Sequence, residues 1–203
     1  MADAQPPVVE FFWDPGSPYT YLASTRIQAV TRDTGAQLRW RPFLLGGVFQ
    51  ATGNSSPVSL PAKARYLRED LAAWADYYGV PLNWPEVFPG NSMLALRAAV
   101  ALEEDQLDAA FARAVMQVHW DKALDIASEA VITNLVGQLG ADAAAVMKRV
   151  QSEPVKRRLR AYTEEAIERG AFGAPTFFVG DKMFWGNDRI PLLHAHLKQI
   201  RPA

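Results

Sequence analysis

Strand-forming sequence brackets this chain at both ends and is missing from its middle, and that order limits the folds open to it. Near the start, Val8–Trp13 (VVEFFW) is a short apolar run of β-type residues, stopped at Pro15-Gly16 and followed by a helical pattern from Ser17-Pro18. Ala36–Phe43 (AQLRWRPF) alternates Leu38 and Trp40 against Arg39 and Arg41, which reads as a half-buried strand cut by Pro42. Residues 44–60, LLGGVFQATGNSSPVSL, are rich in Gly, Asn, Ser and Pro and read as a long connection, a candidate binding loop. Helical spacing then takes over. Pro61–Tyr78 sets Ala64, Leu67, Leu71, Trp74, Ala75 and Tyr78 on one face and stops at Gly79. Further helices are predicted at about 92–104, 107–120, 128–138, 142–150 and 153–169. Strand signals return at Thr176–Val179 and Lys182–Trp185 around a Gly180-Asp181 turn, and Ile190–Ile200 closes the chain as a helix.

The order is β-α-β, a helical block, then β-β-α. Because strand follows the block, the block is an insertion into one α/β unit and not a separate rear domain. The expected division is residues 1–45 with 171–203 as the α/β part, and 46–170 as loop and inserted helices. A cleft between the two parts is the natural place for a ligand. At 203 residues the chain is long enough for a substantial core.

Charge and composition exclude several functions. Lys plus Arg (21) nearly balances Asp plus Glu (22), so no overall field recruits nucleic acid or an anionic membrane. No apolar run reaches the roughly 18 residues of a spanning helix, and residues 1–7 lack the features of a signal peptide, so a cytoplasmic protein is expected. There is no cysteine, which removes disulfides, thiolate metal sites and any chemistry by the protein's own thiol. His194 and His196 fall on different helix faces and His119 stands alone, so no metal is assigned.

Two segments carry chemistry. Ser17 is a preferred N-cap and Pro18 suits the first helical position, so the Ser17 hydroxyl is set over a helix N-terminus able to hold an anion such as a thiolate; an ordinary cap is the plainer reading. In Gly173-Ala174-Pro175-Thr176-Phe177 a proline precedes a strand. Read alone it is an ordinary trans turn; a cis bond would expose the Ala174 backbone to an extended ligand.

The whole pattern resembles the thioredoxin fold with a helical insertion, as in the periplasmic thiol–disulfide oxidoreductases, with Ser17-Pro18-Tyr19-Thr20 where those proteins carry Cys-x-x-Cys. Within that superfamily it is most similar to the 2-hydroxychromene-2-carboxylate isomerases and kappa-class glutathione transferases. The residues that carry the likeness are Phe12–Ala23 (FWDPGSPYTYLA), Arg41–Phe49 (RPFLLGGVF), Thr52-Gly53-Asn54, Phe88–Ser92 (FPGNS), Gly173–Phe177 (GAPTF) and Phe184–Ile190 (FWGNDRI). They span nearly the whole chain.

The resemblance implies that glutathione supplies the missing thiol. Ser17 is by similarity the catalytic residue, donating a hydrogen bond to the glutathione sulfur. Ala174, before a cis Pro175, would pair its backbone with the cysteinyl unit. Asn187 and Asp188 would take the γ-glutamyl end, although without the resemblance they read equally as a helix cap. Asn54 and Trp185 would line the site. Arg41 and Asn54 are the expected substrate contacts, Arg41 reading equally as an exposed strand residue. Ala174 replaces a bulkier aliphatic residue, which a backbone contact tolerates. The implied activity is glutathione-dependent isomerisation of 2-hydroxychromene-2-carboxylate to trans-o-hydroxybenzylidenepyruvate, or of a related intermediate of aromatic-ring degradation, by reversible thiolate addition. Two alternatives stand: a kappa-like transferase that leaves glutathione on an electrophile, and a binding module without chemistry. Expected partners are a small aromatic oxo-acid, glutathione and a second copy of the chain.

Overall fold

The computed structural model describes residues 5–200. The ends of the expected division, at residues 1–4 and 201–203, and with them part of the segment read for a signal peptide, lie outside the described residues. Strand β1 (Val8–Trp13) leads through a tight loop into helix α1 (Pro18–Thr34), and β2 (Gln37–Pro42) follows. Helices α2 (Leu45–Thr52), α3 (Pro61–Tyr78), α4 (Met93–Ala101), α5 (Asp108–Trp120), α6 (Glu129–Gln138), α7 (Ala143–Val150) and α8 (Glu153–Glu168) come next. The chain returns to the sheet with β3 (Thr176–Val179) and β4 (Lys182–Trp185) and ends in α9 (Ile190–Ile200). The sheet order is β2-β1-β3-β4, with β1 parallel to β2 and antiparallel to β3, and β3 antiparallel to β4. This is an α/β thioredoxin-like fold with a large helical insertion between its β-α-β and β-β-α halves. Among the described residues, no helix is long and apolar enough to cross a membrane.

The two-residue alternation of β1 sorts its side chains onto opposite faces of the sheet. Val9, Phe11 and Trp13 point into the larger core, where Phe11 packs on Phe177 and Trp40 with ring centroids 4.7 and 5.0 Å apart. That core runs without a break from the sheet and α1 into the inserted helices, through residues such as Leu22, Leu71, Leu96, Phe111 and Val150. The insertion therefore does not fold around a core of its own. Phe12 points the other way, into a smaller cluster with Phe43, Val48, Ala166, Ala171 and Phe178. Edge-on contacts of Phe12 to Phe43 and Phe178 shape this second face.

One expectation is corrected here. Residues 44–60 are not a continuous loop, because Leu45–Thr52 forms α2 and Pro57–Ser59 a short 3-10 turn. Gly46-Gly47 argues against a helix on propensity, but tertiary contacts reverse it. Thr163 Oγ1 accepts the Leu44 N–H and Asp14 Oδ2 the Leu45 N–H, which satisfies two of the donors at the start of the helix. Val48 is fully buried against α8. A Cβ on Gly47 would sit 3.4 Å from Thr163 Cγ2, so a glycine suits the close approach of α2 to α8.

Candidate active site

The site grows out of the β1–α1 loop. Ser17 takes extended backbone angles as the N-cap of α1, with Pro18 in the first turn, and its Oγ accepts the Thr20 N–H at 3.3 Å. The same hydroxyl donates to the carbonyl of Ala174 at 3.2 Å. The Ala174–Pro175 peptide is cis, and the β ladder begins only at Thr176, so the Ala174 backbone lies at the end of the sheet and outside its pairing. The Gly186 N–H bonds the Pro175 carbonyl at 3.0 Å, which ties the β4–α9 turn to the same corner. Thr20, one turn inside α1, is fully buried.

Asn54 reaches across from the end of α2. Its Nδ2 donates to the Phe172 carbonyl at 2.8 Å. Trp185, almost half exposed, tilts over Phe172 with ring centroids 4.7 Å apart. Its indole lies so close above Gly173 that a Cβ there would meet Nε1 at 2.5 Å. Asn187 and Asp188 belong to a 3-10 turn that leads into α9. Asn187 is buried and its Nδ2 has no partner, while its carbonyl accepts the Tyr78 hydroxyl at 3.4 Å. Asp188 is half exposed and pairs with Arg189 at 3.4 Å. Gly186 adopts φ 107°, and a Cβ on it would collide with Asp188 Oδ1.

Arg41 is not brought to this corner. It pairs in register with Phe12 and so faces the smaller cluster, on the opposite side of the sheet from α1. Its guanidinium bonds both oxygens of Glu165 at 3.0 Å, meets Glu10 at 3.2 Å and stacks on Tyr162. Its charge is used inside the protein. The two parts of the chain also frame a groove of about 540 Å³, lined by Arg26, Trp74, Tyr77, Tyr78, Ile190 and His194, but Ser17 is not among its lining residues.

Several residues at the corner carry no signal that sequence reading used. Tyr19 donates to Asp70 Oδ2 at 2.7 Å; burial, then the Asp70 carboxylate, raises its pKa, with the Asp188 charge adding to the effect. Asp14 is buried directly behind Ser17, and its carbonyl accepts the Ser17 N–H at 3.1 Å. An Asp before Pro-Gly reads as a turn former, and only the folded arrangement shows what its carboxylate touches. Trp120 Nε1 donates to the Pro15 carbonyl at 2.7 Å and holds the loop from the helical side.

The assembled elements are a hydroxyl at a helix N-terminus, a stretch of backbone outside the sheet ladder, and a polar corner with a carboxylate. That combination can hold an extended peptide-like ligand with an anionic sulfur. Comparison with known proteins agrees with the arrangement. Residues 8–198 match the DSBA-like thioredoxin domain. The chain is 33% identical to a 2-hydroxychromene-2-carboxylate isomerase from Pseudomonas putida over 195 residues, 95% of each protein. It is 30% identical to glutathione S-transferase kappa 1 of Rattus norvegicus, over 93% of this chain and 89% of that one. A solved 2-hydroxychromene-2-carboxylate isomerase superposes with a TM-score of 0.88 at 32% identity, covering 95% of both chains. The chain thus belongs to the DsbA-like thioredoxin family, in the branch formed by the 2-hydroxychromene-2-carboxylate isomerases and the kappa-class glutathione transferases.

Proposed function

We propose that this protein is a glutathione-dependent isomerase of 2-hydroxychromene-2-carboxylate or a closely related aromatic oxo-acid. The observation that carries the reading is Ser17: a hydroxyl, in a chain without cysteine, capping α1 within 3.2 Å of the Ala174 carbonyl.

The residues at the corner fit glutathione. The Ala174 backbone, outside the ladder, offers a place for a cysteinyl unit to add like a strand. The buried, unpartnered Asn187 Nδ2 is a donor in want of an acceptor, as a γ-glutamyl carboxylate supplies. Asp188 would face the γ-glutamyl ammonium, and Asn54 and Trp185 would border the tripeptide. When bound, glutathione supplies a thiolate that adds reversibly to the conjugated alkene, so that the former double bond can rotate and reform as the trans isomer.

This chain's own contribution is electrostatic. Ser17, whose O–H bonds the Ala174 carbonyl and whose oxygen accepts the Thr20 N–H, would redirect that O–H to a bound sulfur and keep the Thr20 contact. Charge-assisted hydrogen bonds of this kind favour the anion, and the partial positive charge of the α1 N-terminus acts in the same direction. Both lower the thiol pKa and raise the thiolate fraction near neutral pH.

The test is turnover of 2-hydroxychromene-2-carboxylate with and without glutathione, following the trans isomer and any glutathione conjugate together. Isomer formation that requires glutathione and leaves its concentration unchanged supports the reading. Accumulating conjugate would make the protein a kappa-like transferase. Turnover that ignores glutathione would overturn the role given to Ser17.

A further inference from the structure

One buried carboxylate ties the catalytic loop at the start of α1 to the start of α2. Asp14 is 2% exposed. Its Oδ1 accepts the Gly16 N–H at 2.9 Å, inside the loop that ends in Ser17 and α1. Its Oδ2 accepts the Leu45 N–H at 2.9 Å in the first turn of α2, whose N-cap residue, Leu44, has no side chain able to cap. Ser92 lies beside the same loop, its Oγ 3.9 Å from where a Cβ on Gly16 would stand. Ser92 occupies the N-cap position of α4, yet its side chain does not cap that helix. The Asp14 carbonyl, meanwhile, holds the Ser17 N–H at 3.1 Å.

No lysine or arginine pairs with Asp14 among the described residues. Burying a carboxylate without a countercharge costs stability, and burial does raise its pKa against the opposing hydrogen bonds. What the carboxylate offers is two acceptor oxygens, one for each of two backbone donors arriving from different directions. An amide has one oxygen, and its NH2 would face a donor. Gly16 is fitted to the same arrangement, since a Cβ there would press on Asp14 Oδ1 at 3.2 Å.

We propose that Asp14 is a positioning residue for the isomerisation: by fixing Gly16, and through its backbone Ser17, against α2, it holds the Ser17 hydroxyl where the sulfur must be met. The inference rests on the proposed glutathione reading. Because Asp14 does not touch the corner that takes the tripeptide, its loss should act on the reactive step and spare binding. Sub-ångström misplacement of a catalytic group is costly in rate.

The experiment compares Asp14→Asn and Gly16→Ala with the wild type in glutathione-dependent turnover. Asp14→Asn should lower kcat about tenfold with the KM for glutathione within about twofold of wild type. Gly16→Ala keeps the carboxylate but presses a methyl against its Oδ1 at 3.2 Å; it should lower kcat by a smaller factor, again without raising that KM. Thermal midpoints are recorded alongside, and kcat is read well below them. Should Asp14→Asn fail to fold, the Gly16→Ala result decides alone. Wild-type kcat in the folded variants, with only the midpoints lowered, would reduce Asp14 to a structural residue and overturn the proposal. A wild type that ignores glutathione overturns the functional reading, and this inference with it.

Discussion

Ser17 donates its hydroxyl hydrogen to the Ala174 carbonyl, joining the N-terminus of α1 to the cis-proline segment across 157 residues of sequence. The oxygen simultaneously accepts the Thr20 N–H, so both hydrogen-bonding capacities of one small side chain are engaged. Redirecting only the O–H toward a bound sulfur leaves the cap intact. That separation is what allows the residue to serve a helix and a reaction together.

Ser17→Ala should therefore show two distinct effects. Loss of the cap costs about 0.5–2 kcal/mol of stability. Loss of a hydrogen bond to a charged group costs about 1.5–3 kcal/mol, roughly 10- to 150-fold in turnover if it is expressed in the reactive state. Glutathione affinity by calorimetry should change far less. Activity equal to wild type would remove Ser17 from the mechanism.

Gly173→Ala tests the far wall of the corner. The added methyl would overlap Trp185 Nε1, and the half-exposed indole is free to swing outward. The cost to the fold should be small, since the Phe172–Trp185 pair is worth only about 0.5–1.5 kcal/mol. Glutathione affinity should fall several-fold, with a change in tryptophan fluorescence. Unchanged affinity would mean that Trp185 does not border the tripeptide.

How much of this was legible in the sequence depends on where each signal resides. The bounds of α3, β3, β4 and α9 follow from local periodicity and from punctuation at Gly79 and Gly180-Asp181, and they agree with the structure. α2 escaped because its stability lies outside itself, in Thr163 and Asp14, while its own Gly46-Gly47 argues against it. Arg41 invited a substrate role because its partners Glu10 and Glu165 are brought to it only by the sheet register and α8. Asp14 read only as a turn former, since the Gly16 contact of its carboxylate is local and its other partner, Leu45, arrives on a separate segment.

The buried Asp14 also predicts a pH dependence of stability. Burial raises its pKa above the ordinary 3.8, so the folded state holds the proton more tightly than the unfolded chain. The group's contribution is then full below pH 3.8 and is lost as the pH rises through the higher folded value. In urea unfolding from about pH 3 to about pH 7, the stability of wild type relative to Asp14→Asn should decline with rising pH. A constant difference across that range would show that the folded pKa is not raised.

Asp188 separates a glutathione enzyme from a thioredoxin fold without a ligand. A γ-glutamyl group carries an ammonium and a carboxylate, and so needs an acceptor and a donor side by side. Asp188 and the unpartnered Asn187 Nδ2 are adjacent residues that offer one of each. In the free protein Asp188 leans toward Arg189 at 3.4 Å, but both side chains are about half exposed. Such a surface pair is worth only about 0–1 kcal/mol, so exchanging it for an ammonium is cheap. Asp188→Ala should weaken glutathione binding about tenfold, the equivalent of ~1.4 kcal/mol, with little change in the thermal midpoint of the free protein. Cysteinylglycine, which lacks the γ-glutamyl unit, should bind wild type and variant alike in calorimetric titration. Equal affinity of the wild type for glutathione and cysteinylglycine would mean that this corner does not read the γ-glutamyl end.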